Sequence, residues 1–123
     1  MENLVDVLKA LSDETRLRIL NLLYEQELCV CDVMETLQIS QAKASRHLIY
    51  LKNAGLITDR KYAQWAYYSL LKTTDLKFID HLIYDTLRNL RLYQQDLENQ
   101  EKWRMGKADF CDRYEVKQKH FSI

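Results

Sequence analysis

At 123 residues, 47% of them apolar, the chain is long enough for one compact domain with a hydrophobic core and leaves little for a second. The absence of proline and the presence of only two glycines exclude a turn-rich β architecture and favour helices joined tightly. Equal numbers of acidic and basic residues, 18 of each, speak against indiscriminate nucleic-acid binding.

No apolar run is long enough to cross a bilayer, and Met1 leads into Glu2 and Asp6 without a signal-like stretch. A cytoplasmic protein with no membrane partner is expected. Three cysteines cannot all pair within one chain; in a reducing compartment they suggest thiol or metal chemistry rather than a structural disulfide. A domain this small often gains from a partner subunit.

Leu4, Leu8 and Leu11 predict a short amphipathic helix over residues 2–11. Ser12 reads as the N-cap of a second helix, with Asp13 and Glu14 where the helix dipole favours negative charge. Leu17, Leu20, Leu23 and Tyr24 form its buried stripe, which Glu25-Gln26-Glu27 interrupts. A third helix covers about 29–37, with Val30, Val33, Met34 and Leu37 on one face. After the short connection Gln38-Ile39-Ser40, Ser40 caps a fourth helix that runs to about Ala54. Gly55 is placed to end it in a left-handed conformation. Two short helices so joined form the helix-turn-helix pattern.

From Leu56 to Leu71 the period changes to two. Ile57, Asp59 and Lys61 alternate with Thr58 and Arg60, and an aromatic-rich run from Trp65 to Leu70 follows Tyr62-Ala63-Gln64. A hairpin here is a wing, although its turn lacks Asn-Gly or Gly. Thr74 or Asp75 starts a long final helix in which Leu76, Ile79, Ile83, Leu87, Leu90, Tyr93 and Leu97 recur at steps of three and four. Such a seam packs on its own domain or pairs with the same helix of a second subunit; the small domain surface favours pairing. The fold class is therefore mainly α with a small β-hairpin, a winged helix-turn-helix of four helices, two strands and a last helix. Residues 1–100 form the domain. Residues 101–123, which carry Trp103, Phe110, Cys111, Tyr114 and Phe121, form a tail without a clear period.

Charge is distributed unevenly. Between Ser40 and Lys61 stand Lys43, Arg46, Lys52, Arg60 and Lys61 against Asp59 alone, a basic segment in a neutral chain and a DNA footprint. With Ala44, Leu48 and Leu51 on the core face of the fourth helix, Ala42, Lys43, Ser45, Arg46, Ile49 and Tyr50 point outward. Gln41, His47 and Lys52 lie at the edges. Ala42 and Ser45 let the backbone approach a major-groove floor. Gln41 and Arg46 can read adenine and guanine edges. Lys43, Ser45 and His47 can reach phosphates, which set register rather than sequence preference. Arg60, Lys61 and Gln64 on the wing can grip the neighbouring minor groove or backbone. His47 is equally well explained as a satisfied structural histidine.

Cys29 and Cys31 open the third helix. In an ideal helix they point about 200° apart, so gripping one ion requires the first turn to distort, and the helix supports the DNA-reading one. Closely spaced thiolates select soft ions, and a helix N-terminus favours the thiolate. The plainer alternative is two small, half-buried apolar residues.

The runs ELCVCDV at 27–33, SQAKASRHLIYLKNAGLI at 40–57 and DRKYAQWAYYSL at 59–70 resemble the ArsR/SmtB family of winged-helix metalloregulators, its arsenic-responsive branch above all. The resemblance covers roughly residues 4–90. It implies a homodimer joined by its first and last helices. It also implies a repressor of a metal- or metalloid-resistance operon, released from a roughly palindromic operator when As(III) or Sb(III) binds Cys29 and Cys31. Met34 stands where the best-known arsenic sensors have a third cysteine, and Ala42 where many relatives have proline. No cysteine precedes Cys29 to build the cadmium/lead site of some relatives, and Asp80, His81 and Asp85 do not reproduce the last-helix zinc site of others. Cys111 is the candidate third thiolate; without it, water or an added thiol completes the site.

Three other readings compete with the arsenite-sensing repressor. The same fold could answer cadmium or lead, or thiol oxidation or persulfide through Cys31 or Cys29 with Cys111. A redox enzyme using the Cys-Val-Cys pair lacks a glycine loop, an acid–base constellation and a βαβ unit, so no enzyme is expected. A helical interaction module without DNA would leave the basic 40–61 segment unused.

Overall fold

A computed structural model describes residues 4–73 and 76–121, with side chains described as far as Lys107. The expected helix start at Thr74 or Asp75 lies outside the described residues. In chain order the elements are α1 (Leu4–Leu11), α2 (Glu14–Glu25), β1 (Leu28–Cys29), α3 (Val30–Leu37), α4 (Gln41–Asn53), β2 (Ile57–Tyr62), β3 (Trp65–Leu70), α5 (Lys77–His81), a π turn (Leu82–Thr86), a 3-10 turn (Leu87–Asn89) and α6 (Arg91–Phe121). The order of the first four helices and the hairpin is the one the residue pattern predicts. The strand β1 is an addition. It pairs antiparallel with β3, Leu28 opposite Tyr68 and Cys29 opposite Tyr67, so the sheet has the order β1-β3-β2.

Local chemistry sets the boundaries. Asp13, not Ser12, caps α2: its carboxylate accepts the Arg16 amide at 3.0 Å, while the Ser12 hydroxyl donates back to the Lys9 carbonyl. Ser40 caps α4 as expected, accepting the Lys43 amide at 3.2 Å. Gly55 ends α4 at φ +82°, and the Leu56 amide closes back on the Leu51 carbonyl at 3.1 Å. The hairpin turn is the two residues Ala63-Gln64, with Ala63 at φ +56°.

The core gathers Ile19, Leu20, Leu22 and Leu23 of α2, Val33 of α3, Ala44, Leu48 and Leu51 of α4, and Leu56 and Ile57 at the wing base. Two expected stripes sit differently. In α1 it is Val7 and Ala10 that are buried, whereas Leu4 and Leu8 are 47% and 51% exposed. This helix is apolar on more than one face, so spacing alone does not choose the face that meets α2.

The single long final helix is also corrected. It breaks at Leu90, whose φ −99° and ψ 135° are extended. Leu76, Ile79, Ile83, Leu87 and Tyr93 are buried against their own domain, not held out as a seam. Polar groups pull this stretch inward. Arg88 donates to the Asn21 side chain at 2.8 Å and pairs with Glu25 at 2.7 Å, and the fully buried Asn21 donates to the Tyr93 carbonyl at 3.1 Å. Past the break, Arg18 forks onto Asp96 with two 2.8 Å bonds, and Gln100 donates to the Leu22 carbonyl. These bonds fasten the start of α6 along α2. The helix then continues through position 100, so the chain from 101 to 121 is helical backbone.

Asp96 is 1% exposed, and removing it leaves a largely buried guanidinium without its partner. Asp96→Ala is expected to cost about 3 kcal/mol, seen as a drop of roughly 10 °C in the thermal midpoint by circular dichroism.

Candidate nucleic-acid interface and thiol site

The recognition surface follows from which face of α4 is buried. Ala44, Leu48 and Leu51 are fully buried on α2 and α3, which turns Gln41, Ala42, Lys43, Arg46, Ile49 and Tyr50 to solvent with Ser45 half-exposed among them. Lys43 and Arg46 form no ion pair with any described residue, so their charge is available to a polyanion.

Of the two readings of His47, the structure shows the buried one. It is 7% exposed, and its Nδ1 lies 3.3 Å from Arg16 Nη1. Arginine has only donors, so Nδ1 accepts and the ring is neutral. Burial first, then the nearby Arg16, Arg46 and Lys43 charges, lower its pKa against the opposing pull of Asp13. A ring held this way supports α4 from beneath and is not directed at phosphate. Arg16 was not singled out from the sequence. It donates to the carbonyls of Ala10 (2.8 Å) and Lys9 (3.1 Å) and stacks 4.1 Å over the Tyr50 ring, tying α1 and α2 to the recognition helix. No local pattern marks such a residue, because its partners lie in two other elements, α1 and α4.

On the wing, Lys61, Tyr62 and Gln64 are exposed around the turn. Lys61 forms no ion pair with a described residue. Lys52 is paired with Asp59 at 3.0 Å. Arg60, expected to reach DNA, instead forks onto Glu27 with bonds of 2.8 and 2.7 Å.

The thiols sit at the junction of the wing, α3 and α6. Cys29 ends β1 and occupies the N-cap position of α3 at φ −91°, ψ 172°. It is extended backbone, so the expected opposition of two helical cysteines does not apply. Cys31 lies in the first turn of α3, half-buried. The Asp32 carboxylate, 2% exposed, accepts the Cys29 amide at 2.9 Å, the Trp103 indole N–H at 2.8 Å and the Lys107 ammonium at 2.9 Å. Burial, and then the Asp32 charge, push the Cys29 thiol up to about 11. This corrects the expectation that the helix N-terminus makes it a thiolate: desolvation and a neighbouring anion outweigh the helix dipole. Met34 is half-buried against the core.

Among the described residues no group of three or more His, Cys, Asp or Glu side chains could hold a metal ion. The side chain of Cys111 lies outside the described residues.

The bacterial regulatory protein, arsR family, profile matches residues 13–59. The arsenical resistance operon repressor of Escherichia coli K12 is 51% identical over 67 residues, 54% of this chain and 57% of that protein. The match spans 51–57% of the length of three such regulators, the two of Pseudomonas putida and that of E. coli. The transcriptional activator HlyU of Vibrio cholerae is 38% identical over 91 residues, 74% of this chain and 78% of HlyU. The HlyU structure superposes with a TM-score of 0.61 at 37% identity, covering 69% of this chain and 95% of that one. A homodimeric winged helix-turn-helix DNA-binding domain from Mycobacterium bovis gives 0.61 at 26% identity, covering 73% and 86%.

His47 supplies a pH test. Its pKa is lower in the fold than in the unfolded chain, so its contribution to stability is complete above about pH 6.5 and is lost as pH falls below it. The thermal midpoint is expected to fall between about pH 7.5 and 5.5 in the wild type and to fall less in His47→Gln, measured by calorimetry in matched buffers.

Proposed function

The chain belongs to the ArsR family of bacterial regulatory proteins, and from that premise we propose that it is a homodimeric repressor of a metalloid-resistance operon, released from operator DNA when As(III) or Sb(III) binds its cysteines. The observation that carries this reading is the position of Cys29. It lies within one residue of the first turn of α3, which buttresses α4, and it pairs with β3 of the wing. A ligand that draws on Cys29 therefore acts where both DNA-facing elements are anchored.

DNA contact falls to Gln41, Lys43, Ser45 and Arg46 on α4 and to Lys61 and Gln64 on the wing. His47 and Arg60 leave the set because each is engaged within the protein. The exposed Leu4, Val5 and Leu8 of α1, with Phe78, Tyr84 and Leu90 from the segment before α6, supply apolar surface for a second copy. The M. bovis neighbour is a homodimer. Two copies related by a two-fold axis present their recognition helices to successive major grooves about 34 Å apart, on a roughly palindromic site. No helix of the described residues is long and apolar enough to cross a membrane, in keeping with a cytoplasmic regulator.

The donor set suits a thiophilic ion: two sulfurs at positions 29 and 31, with Cys111 proposed as the third. Bound As(III) supplies strong bonds to thiolate sulfur. For its part, Cys29 has to give up its proton, and doing so beside Asp32 places two anions at the N-terminus of α3 unless the ion neutralises one. Occupancy thus alters the electrostatics of the Asp32 cluster. A coupling of about 1–3 kcal/mol between ion and DNA is enough for a useful switch.

Arg46→Ala is expected to weaken operator binding by about 1–3 kcal/mol and to relax the preference at the base pair it reads, measured by fluorescence anisotropy on the operator and on duplexes with single base changes. Unchanged affinity would overturn the orientation given to α4.

Release of operator under As(III), Sb(III), Cd(II), Pb(II) and an oxidant, in wild type, Cys29→Ser, Cys31→Ser and Cys111→Ser, tests the inducer. The expected result is release of wild type at stoichiometric As(III), with DNA binding kept and release lost in the first two variants. Release by oxidant alone would instead make the protein a thiol-redox regulator.

A further inference from the structure

Glu27 and Arg60 have no part in the reading above. Glu27 lies between α2 and β1, and its carboxylate accepts from both strands of the wing: Arg60 Nε and Nη2 on β2, and the Ser69 hydroxyl on β3 at 3.1 Å. The Arg60 bonds hold the Glu27 carboxyl below its usual range. The strand register places Cys29, Tyr67 and Arg60 in one row across the sheet, and alternation puts neighbours in a row on the same face. The contacts agree. The Arg60 guanidinium stands 5.4 Å from the Tyr67 ring centre, and Lys107, which also binds Asp32, stands 6.0 Å from the same ring. Cys29, Tyr67 and Arg60 thus form a lateral run, and Glu27, two residues before Cys29, closes it.

An arginine poised for a phosphate offers its donor fork to solvent; that of Arg60 is occupied by a carboxylate. The strand β1 is only two residues long, so its pairing with β3 is a weak hold on the wing. The Glu27 carboxylate adds a directional hold shared between β2 and β3.

We propose that Glu27 and Arg60 are positioning residues that set the angle of the wing against the thiol segment and transmit the state of Cys29 to it, with Arg60 making no contact to DNA. This rests on the thiol-responsive, DNA-binding reading above. A shift of Cys29 moves Glu27 through the one intervening residue, Leu28, and Glu27 carries both wing strands with it. Lys61 and Gln64 at the tip then lose their alignment with α4.

The test uses the full chain and a labelled duplex selected by the wild-type protein from a random-sequence pool. Anisotropy titrations are run across a salt series, with and without As(III), for wild type, Glu27→Gln, Arg60→Lys and Arg60→Ala, with melting curves and As(III) stoichiometry for each. Glu27→Gln and Arg60→Lys are expected to bind about three- to fivefold more weakly. All three variants keep the wild-type salt slope, because no phosphate contact is lost. As(III) stoichiometry stays the same, while the ratio of DNA affinities without and with As(III) falls about fivefold or more in the two fork variants. Should Glu27→Gln fail to fold, Arg60→Lys, which keeps the charge and loses the fork, gives the same readout.

Tighter binding by Glu27→Gln, or a slope reduced by about 0.9 in Arg60→Ala, would make Arg60 a phosphate ligand held back by Glu27 and overturn the proposal. An unchanged affinity ratio in both fork variants would reduce the fork to a structural brace and overturn it as well. A wild type that binds the duplex and ignores As(III) would remove the inducer reading itself, and the coupling with it.

Discussion

A buried carboxylate organises the functional half of this molecule. Asp32 lies at the N-terminus of α3 with almost no access to water, a position that is tolerable only because it accepts from a backbone amide, an indole and an ammonium group. Through the Cys29 amide it fixes where α3 begins. Through Trp103 and Lys107 it fixes α6 against that same turn. The first turn of α3 and the helix α6 therefore share one buried anchor.

A second set of polar bonds does comparable work on the opposite side of α2. Arg18 on Asp96, Arg88 on Asn21 and Gln100 on the Leu22 carbonyl join α2 to the last third of the chain. Arg16 on the same helix faces the other way, towards α1 and α4. The helix α2 is thus the frame on which α1, α4 and α6 are hung. The apolar core gives cohesion, while these directional bonds select one arrangement of helices whose apolar faces would accept several.

The environment of Cys29 bears on selectivity as well as on coupling. A thiol raised to about 11 is a poor nucleophile at neutral pH and resists casual oxidation. In the inducer reading proposed above, an ion with high sulfur affinity has to displace that proton beside Asp32.

What the sequence determined by itself is whatever short-range rules govern. The helix-turn-helix with its Ser40 cap, the left-handed Gly55 and the outward face of α4 follow from periodicity and capping, where each residue's role depends on neighbours within about two turns. The Glu-Leu-Cys-Val-Cys-Asp run stands out as a candidate site through its resemblance to the ArsR/SmtB family, whereas spacing alone leaves it open between ligands and small apolar residues. Decisions between equally apolar faces, and between possible polar partners, belonged to the tertiary structure. Leu4 and Leu8 turned outward because α1 offers two faces. The seam from Leu76 to Leu97 broke at Leu90 because Arg88 and Tyr93 found Asn21, more than sixty residues away in the chain. His47 went inward to Arg16, and Arg60 went to Glu27. Cys29 became an extended, desolvated thiol rather than a helical thiolate. In each case the deciding partner is distant in sequence, and only folding brings it within the few ångströms over which a hydrogen bond or a lost water matters.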